Sequence, residues 1–256
     1  MQIISSPLEL HEHITAYKND GLRVGFVPTM GALHEGHLSL VDLAKENADK
    51  VVVSIFVNPT QFAPDEDFDS YPRSVESDSA LLEERGVDLI YLPTTEAMYP
   101  DGVMDSAIKA GAPAAGLETD FRSHFFDGVV NIVYRLFEQV CPDIAVFGQK
   151  DFQQLQVIKD MVSAQDMGIN ILGGDIVRDE HGLALSSRNA YLSREELAVA
   201  RQLNVILRDS SILDKPQAIL EAGFDKVDYV ALKPEWSRIL AAAWIGKTRL
   251  IDNMAV

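Results

Sequence analysis

A single cysteine, Cys141, stands in a chain of 256 residues, so no disulfide can form within it. A cytoplasmic setting is the simplest expectation. Cys141 precedes Pro142 and an apolar run, and reads as a small structural residue. No apolar stretch approaches the ~20 residues of a membrane-spanning helix. The first residues, Met1-Gln2-Ile3-Ile4-Ser5-Ser6, carry neither the basic nor the apolar region of a signal peptide. Cations are scarce: 22 Lys and Arg against 39 Asp and Glu leave a net charge of −17. Such a chain repels nucleic acid and anionic membranes, so neither is an expected partner. It also repels ATP, so a nucleotide site here must gather its own cations. That singles out each Lys and Arg inside a polar motif. Internal repeats and low-complexity tracts are missing too.

What is present is the material of a large core, 47% of the residues being hydrophobic. Strand-like and helix-like segments alternate up to about residue 177. Val24–Val27 reads as a strand, and Leu38, Val41, Ala44 and Ala48 mark one face of a helix after it. Val51–Val57 is nearly all apolar, as a strand buried on both faces should be. A helix over Ser74–Arg85 and a strand over Val87–Leu92 follow. Next come a helix over Val129–Val140, a strand over Asp143–Phe147, a helix over Phe152–Met167 and a strand over Ile169–Leu172. This is the pattern of an α/β fold with a parallel sheet and right-handed crossovers, whose ligands sit at the carboxyl ends of the strands. After residue 177 a loop over Arg178–Asn189 leads to one long helix from Ser193 to about Ser210. A short helix, a strand near Lys226–Leu232 and a final segment complete a smaller second domain. The expected division is residues 1–176 and residues 177–256.

Three polar motifs fall at expected strand ends. Pro28-Thr-Met-Gly-Ala-Leu-His-Glu-Gly-His37 is a strand, a turn and a helix start, where free backbone N–H groups and the helix dipole suit a phosphate. His34 and His37 are three residues apart and can share a face; the pair suits phosphate chemistry, a half metal site or a plain surface. Asn58-Pro-Thr-Gln61 offers donors and acceptors to a small polar substrate, or is an ordinary turn. Gly148-Gln-Lys-Asp-Phe-Gln-Gln154 again joins strand to helix. Lys150 there supplies a phosphate charge that opposes the helix dipole, Asp151 can accept from ribose, and Gln154 lies one turn on. A fourth motif, Gly182-Leu-Ala-Leu-Ser-Ser-Arg-Asn189, lies in the interdomain loop. It reads as a mobile phosphate clamp of two hydroxyls and a guanidinium, or as a solvated linker.

Together these stretches resemble the pantoate–β-alanine ligases, nearly end to end. The matching runs are PTMGALHEGHLSLV at 28–41, SIFVNPTQF at 54–62, YPR at 71–73, FGQKDFQQL at 147–155, GLALSSRNAYL at 182–192 and GKTRLIDN at 246–253. The resemblance implies a Rossmann-like nucleotide-binding domain with a smaller α+β C-terminal lid domain, related to class I aminoacyl-tRNA synthetases. His34-Glu-Gly-His37 takes the place of their HIGH-type signature, and Leu185-Ser-Ser-Arg188 that of their KMSKS-type loop. It implies ATP-dependent joining of pantoate to β-alanine through a pantoyl adenylate, with AMP and pyrophosphate released, by a Mg²⁺-dependent cytoplasmic homodimer. Carried over residue by residue, the catalytic groups are His34, His37 and Lys150. ATP contacts fall at Met30, Gly31, Ala32, Leu33, His34, Glu35, Gly36, His37, Gly148, Gln149, Lys150, Asp151, Val177, Leu185, Ser186, Ser187 and Arg188. Gln61, Gln154 and Met30 bind the organic substrates. Asp78 is the candidate near Mg²⁺, its alternative being a solvated helix face.

Some positions depart from the family pattern. Phe125 stands where a His is usual, with His124 one place early. Asn131 replaces a Thr, Gln149 a Glu, and His181 a common Asp; the second domain is also short. Two rivals share features of the site. A nucleotidylyltransferase would keep the nucleotide on its product, and a nucleotide-binding module would need neither both histidines nor the Ser-Ser-Arg loop. The acidity, and the want of a basic anticodon-binding extension, argue against a tRNA-binding synthetase.

Overall fold

Apolar runs at β and helical spacing alternate along the first two-thirds of the chain, and they build one parallel sheet. The structure is a computed structural model and describes residues 1–62, 68–69, 71–100, 102 and 108–256. Its strands are β1 (Gln2–Ile4), β2 (Val24–Thr29), β3 (Lys50–Ile55), β4 (Leu89–Tyr91), β5 (Ile144–Gly148) and β6 (Asn170–Gly174), in the order β1-β4-β3-β2-β5-β6, all neighbours parallel. The helices are α1 (Pro7–Asn19), α2 (Glu35–Asn47), α3 (Val75–Glu84), α4 (Thr95–Met98), α5 (Glu118–Phe121), α6 (Phe125–Val140) and α7 (Phe152–Ala164). Alternate residues of β3 serve opposite faces. Val51, Val53 and Ile55 join Leu38, Val41 and Ala44 of α2 and Leu82 of α3 in one cluster. On the other face Phe26 meets Phe137 of α6 edge-on at 6.2 Å, and Phe137 meets Phe147 likewise. Val129, Ile132, Val133, Leu136 and Val140 of α6 are all buried.

Strand order reverses at β2, which pairs with β3 on one side and β5 on the other. Ligands of open α/β sheets bind at such a reversal, outside the carboxyl ends of the strands. The 28–37 motif leaves the end of β2, and the 148–154 motif begins at the end of β5.

The chain forms two compact units. One comprises Met1–Gly148 with Gln153–Gly174. The other comprises Asp175–Val256 together with the short segment Gln149–Phe152. In the second unit, α8 (Arg194–Ala200), α9 (Gln202–Arg208) and α10 (Lys215–Glu221) pack on an antiparallel sheet of β7 (Lys226–Lys233), β8 (Arg238–Ile245) and β9 (Thr248–Ala255). Ile239, Ala241, Ala243 and Ile245 of β8 supply that core at period two.

Three expectations change. The long helix from Ser193 is two helices that break at Arg201, whose side chain is drawn to Asp179 at 3.0 Å; apolar spacing continues through such a break and does not show it. The final segment is the hairpin β8–β9, hidden because Ala241–Ala243 carries no strand preference. Cys141 is exposed and left-handed (φ 45°), ending α6, and its thiol donates to the Glu138 carbonyl.

Candidate active site

β2 ends where the Thr29 hydroxyl donates to the Ser54 carbonyl (2.8 Å) and accepts from the Gly31 N–H (3.2 Å). The next two residues are left-handed, Gly31 at φ 83° and Ala32 at φ 53°. The positive φ favours glycine at position 31, and a Cβ there would press on Asp78 Oδ2 and Ile55 Cγ2, each 3.1 Å away. Asp78, 1% exposed, cups this turn: its two oxygens accept the N–H groups of Ala32 and Leu33, both at 2.9 Å. Asp78 is therefore not on a solvated helix face.

His34 is the N-cap of α2. Its Nδ1 accepts the Gly36 N–H at 3.1 Å, and the Nδ1 of His37 reaches back to the His34 N–H at 3.4 Å. The rings lie 4.1 Å apart between centroids, both half-buried. A nitrogen that accepts carries no proton, so each neutral imidazole holds its hydrogen on Nε2. This changes the expected chemistry of the motif. The backbone N–H groups of Ala32, Leu33, His34 and Gly36 are directed to Asp78 and to the two Nδ1 atoms. Each ring is thereby anchored through its Nδ1 to a backbone N–H. Glu35 of the same motif points elsewhere, pairing with Arg85 at 2.7 Å.

Beside this turn, Met30 and Gln61 come together, with the Gln61 amide 2.9 Å from the Met30 sulfur. Of the two readings of the 58–61 motif, Asn58 fits the turn. It is 1% exposed and fully engaged, donating to Gln61 Oε1 and the Gly128 carbonyl and accepting from Thr60 and from the Tyr99 hydroxyl at 2.5 Å. Asn58 shapes the 58–61 turn and offers nothing to a substrate. Burial pushes the Tyr99 hydroxyl up, against the opposing pull of Thr60, Arg135 and Asn58; it stays protonated and donates. Arg122 donates to the Gln61 carbonyl at 3.0 Å and lies 3.9 Å over the Phe125 ring. Phe125 thus serves as a platform for Arg122, while His124 is exposed. Asn131 is absorbed locally, bonding the Ile108 backbone and the Asp127 carbonyl. Gln154 is half-buried in the first turn of α7.

The second unit carries the other candidates. Gln149–Asp151 is a 3-10 turn, with Lys150 Nζ 3.7 Å from Asp151. Gln149 donates to Asp175 at 3.1 Å and accepts from Arg238. Burial pulls the Arg238 guanidinium below its ordinary value, partly offset by Asp175. The 177–189 segment is a braced hairpin and not a solvated linker. Leu185 N–H donates to the Val177 carbonyl (2.9 Å), and Arg178 bridges Ala184. The Arg178 guanidinium grips Asp252 through two bonds of 2.7 and 2.8 Å and also holds the Gly182 carbonyl. Asp179 closes the hairpin tip, accepting from the His181 and Leu183 N–H groups and from Arg201. Burial alone would raise the Asp179 carboxyl, but the Leu183 and His181 N–H groups and Arg201 outweigh it and hold it below its ordinary value. Ser186 caps the 3-10 turn of Ser187–Tyr191, accepting from Arg188 N–H at 3.3 Å, and Asn189 donates to the Ala184 carbonyl. Arg178, Arg238, Asp252 and Asn253 were not singled out from sequence. The one available signal was the GKTRLIDN run, whose last two residues are Asp252 and Asn253.

The comparisons with known proteins agree with one another. The family model described as pantoate-beta-alanine ligase matches residues 2–255. The pantothenate synthetase of Mesorhizobium japonicum is 50% identical over 277 residues, covering 100% of this chain and 98% of that protein. The pantothenate synthetase of Stenotrophomonas maltophilia is 51% identical, covering 96% of each. Among solved structures, pantothenate synthetase from Thermus thermophilus superposes with a TM-score of 0.90 at 40% identity, covering 99% of both chains. Pantoate-beta-alanine ligase from Francisella tularensis, complexed with beta-gamma ATP and beta-alanine, gives 0.91 at 35% identity, covering 100% of this chain and 97% of that one.

Proposed function

The chain belongs to the pantoate–β-alanine ligase family, and from that premise we propose which of its residues carry the reaction. The activity is the ATP-dependent condensation of pantoate with β-alanine through a pantoyl adenylate. The pantoate carboxylate attacks the α-phosphorus of ATP and pyrophosphate leaves. The β-alanine amine then attacks the acyl carbonyl, AMP leaves, and the amine gives up a proton. A carboxylate needs no general base, so the first step asks for positioning and charge stabilisation.

In this reading the Nε2–H groups of His34 and His37 donate to phosphate oxygens. Lys150, Ser186, Ser187 and Arg188 supply the remaining donors and charge, against the chain's own net −17. Gln61, Met30 and Gln154 hold the organic substrates, Asp151 the ribose, and the backbone near Val177 the adenine. In this assignment the first unit supplies the contacts at residues 30–37, 61 and 154, and the second those at residues 149–151 and 177–188. The single observation that carries the assignment is the backbone-anchored imidazole pair at the end of β2.

Mg²⁺ fits this chain poorly as a protein-held ion. Among the described residues no group of three or more His, Cys, Asp or Glu side chains is placed to hold a metal, and Asp78 has both oxygens on backbone N–H groups. The family resemblance supports a cytoplasmic homodimer, and among the described residues no helix is long and apolar enough to cross a membrane.

Isotope exchange between pyrophosphate and ATP tests the scheme. It should require pantoate and proceed without β-alanine. Exchange that depends on β-alanine, or that runs without pantoate, refutes the two-step order.

A further inference from the structure

We infer that Asn253, near the end of β9, is a positioning residue for adenylate formation that acts by fixing the backbone on both sides of Lys150. The inference rests on the phosphate-binding role proposed for Lys150. Asn253 is 1% exposed, and every polar atom of it is used. Its side-chain amide donates to the carbonyls of Gln149 (2.9 Å) and Lys150 (2.8 Å). Those two carbonyls belong to the two peptide planes that flank the Lys150 Cα. Holding both planes fixes φ and ψ of Lys150, and with them the direction in which its side chain leaves the backbone. Lys150 lies in a three-residue 3-10 turn, too short to hold itself.

The amide is in turn oriented. Arg238 donates to Asn253 Oδ1 at 2.6 Å and also to Gln149 Oε1, which sets the NH₂ group toward the carbonyls. The Asn253 N–H bonds Asp252 (2.7 Å), and Arg178 donates to the Asn253 carbonyl (3.2 Å) while gripping Asp252 and the Gly182 carbonyl. Adjacent residues of one strand therefore hold the Lys150 turn and the base of the Ser186–Arg188 hairpin. All of these residues lie in one compact unit, although Lys150 sits in sequence between β5 and α7 of the other.

The test is a double-mutant cycle read by pantoate-dependent ATP–pyrophosphate exchange. Asn253→Ala should lower the exchange kcat about tenfold or more, the scale expected when a charged group is misplaced by a fraction of an ångström to an ångström. KM for pantoate should stay unchanged, because Gln61 and Met30 lie elsewhere. Amide formation from supplied pantoyl adenylate should fall much less, since no pyrophosphate remains to be neutralised. Adding Asn253→Ala to Lys150→Ala should cost no more than about twofold further. Arg238→Met, which leaves β9 intact, should give a smaller loss with the same non-additivity, and it carries the test if Asn253→Ala fails to fold. Losses that multiply with Lys150→Ala, or equal losses in both half-reactions, overturn the inference. If Lys150→Ala itself leaves exchange unchanged, the phosphate role of Lys150 falls first, and the inference with it.

Discussion

Asp78 carries the sharpest consequence of the structure, because two different roles for it predict opposite experiments. Its carboxylate is 1% exposed and accepts two backbone N–H groups at 2.9 Å, from Ala32 and Leu33. A hydrogen bond to a charged partner contributes about 1.5–3 kcal/mol. Asp78→Ala would forfeit both, about 3–6 kcal/mol, a large part of a typical stability of about 5–15 kcal/mol. Asp78→Asn is the better probe: it keeps one acceptor and sets an NH₂ against the other N–H. The expected loss is about 1.5–3 kcal/mol, or a melting temperature lower by roughly 3–12 °C for a chain of this size. Because the cupped turn leads directly into His34, exchange should also fall by about tenfold or more, with its Mg²⁺ dependence unchanged. The assays are a thermal melt and exchange rates across a Mg²⁺ titration. An unchanged melting temperature with a raised Mg²⁺ requirement would make Asp78 a metal ligand and refute the brace. No change in either would show that the turn holds its shape unaided.

Two further outcomes follow from packing and charge. A Cβ on Gly128 would lie 2.5 Å from the Thr60 carbonyl oxygen and 2.8 Å from its carbon, so Gly128→Ala must push α6 away from the 58–61 turn; it should cost about 1–3 kcal/mol and raise KM for pantoate by displacing Gln61, and an unaltered KM would detach Gln61 from substrate. The Asp179 carboxyl is held low in the folded chain, so its contribution to stability is present above its unfolded value of about 3.9 and is lost as pH falls through the folded value. In urea titrations the gap between the native chain and Asp179→Asn should hold from pH 7 to 5 and close below about pH 4; a gap constant down to pH 3 would leave Asp179 without a net charge interaction.

The sequence by itself determined the fold class, the strand-end position of three motifs and, through the matching runs, the reaction. These are encoded locally. Apolar period two or 3.6 marks an element, and a polar motif after a strand marks a carboxyl end. What it could not determine depends on pairs far apart in the chain. The phosphate-facing donors at 28–37 were expected to be backbone N–H groups. Asp78, arriving from α3, takes two of them, and the histidines take two more. Asn58 looked like a substrate ligand until Gly128 and Tyr99 closed around it, 70 and 41 residues away. The Ser186–Arg188 segment looked like a linker because nothing near it in sequence shows that Arg178 reaches Asp252, 74 residues on. Local chemistry names the groups that can act. Only the tertiary structure decides which donors are already taken, because a hydrogen bond made within the protein is one a substrate no longer receives.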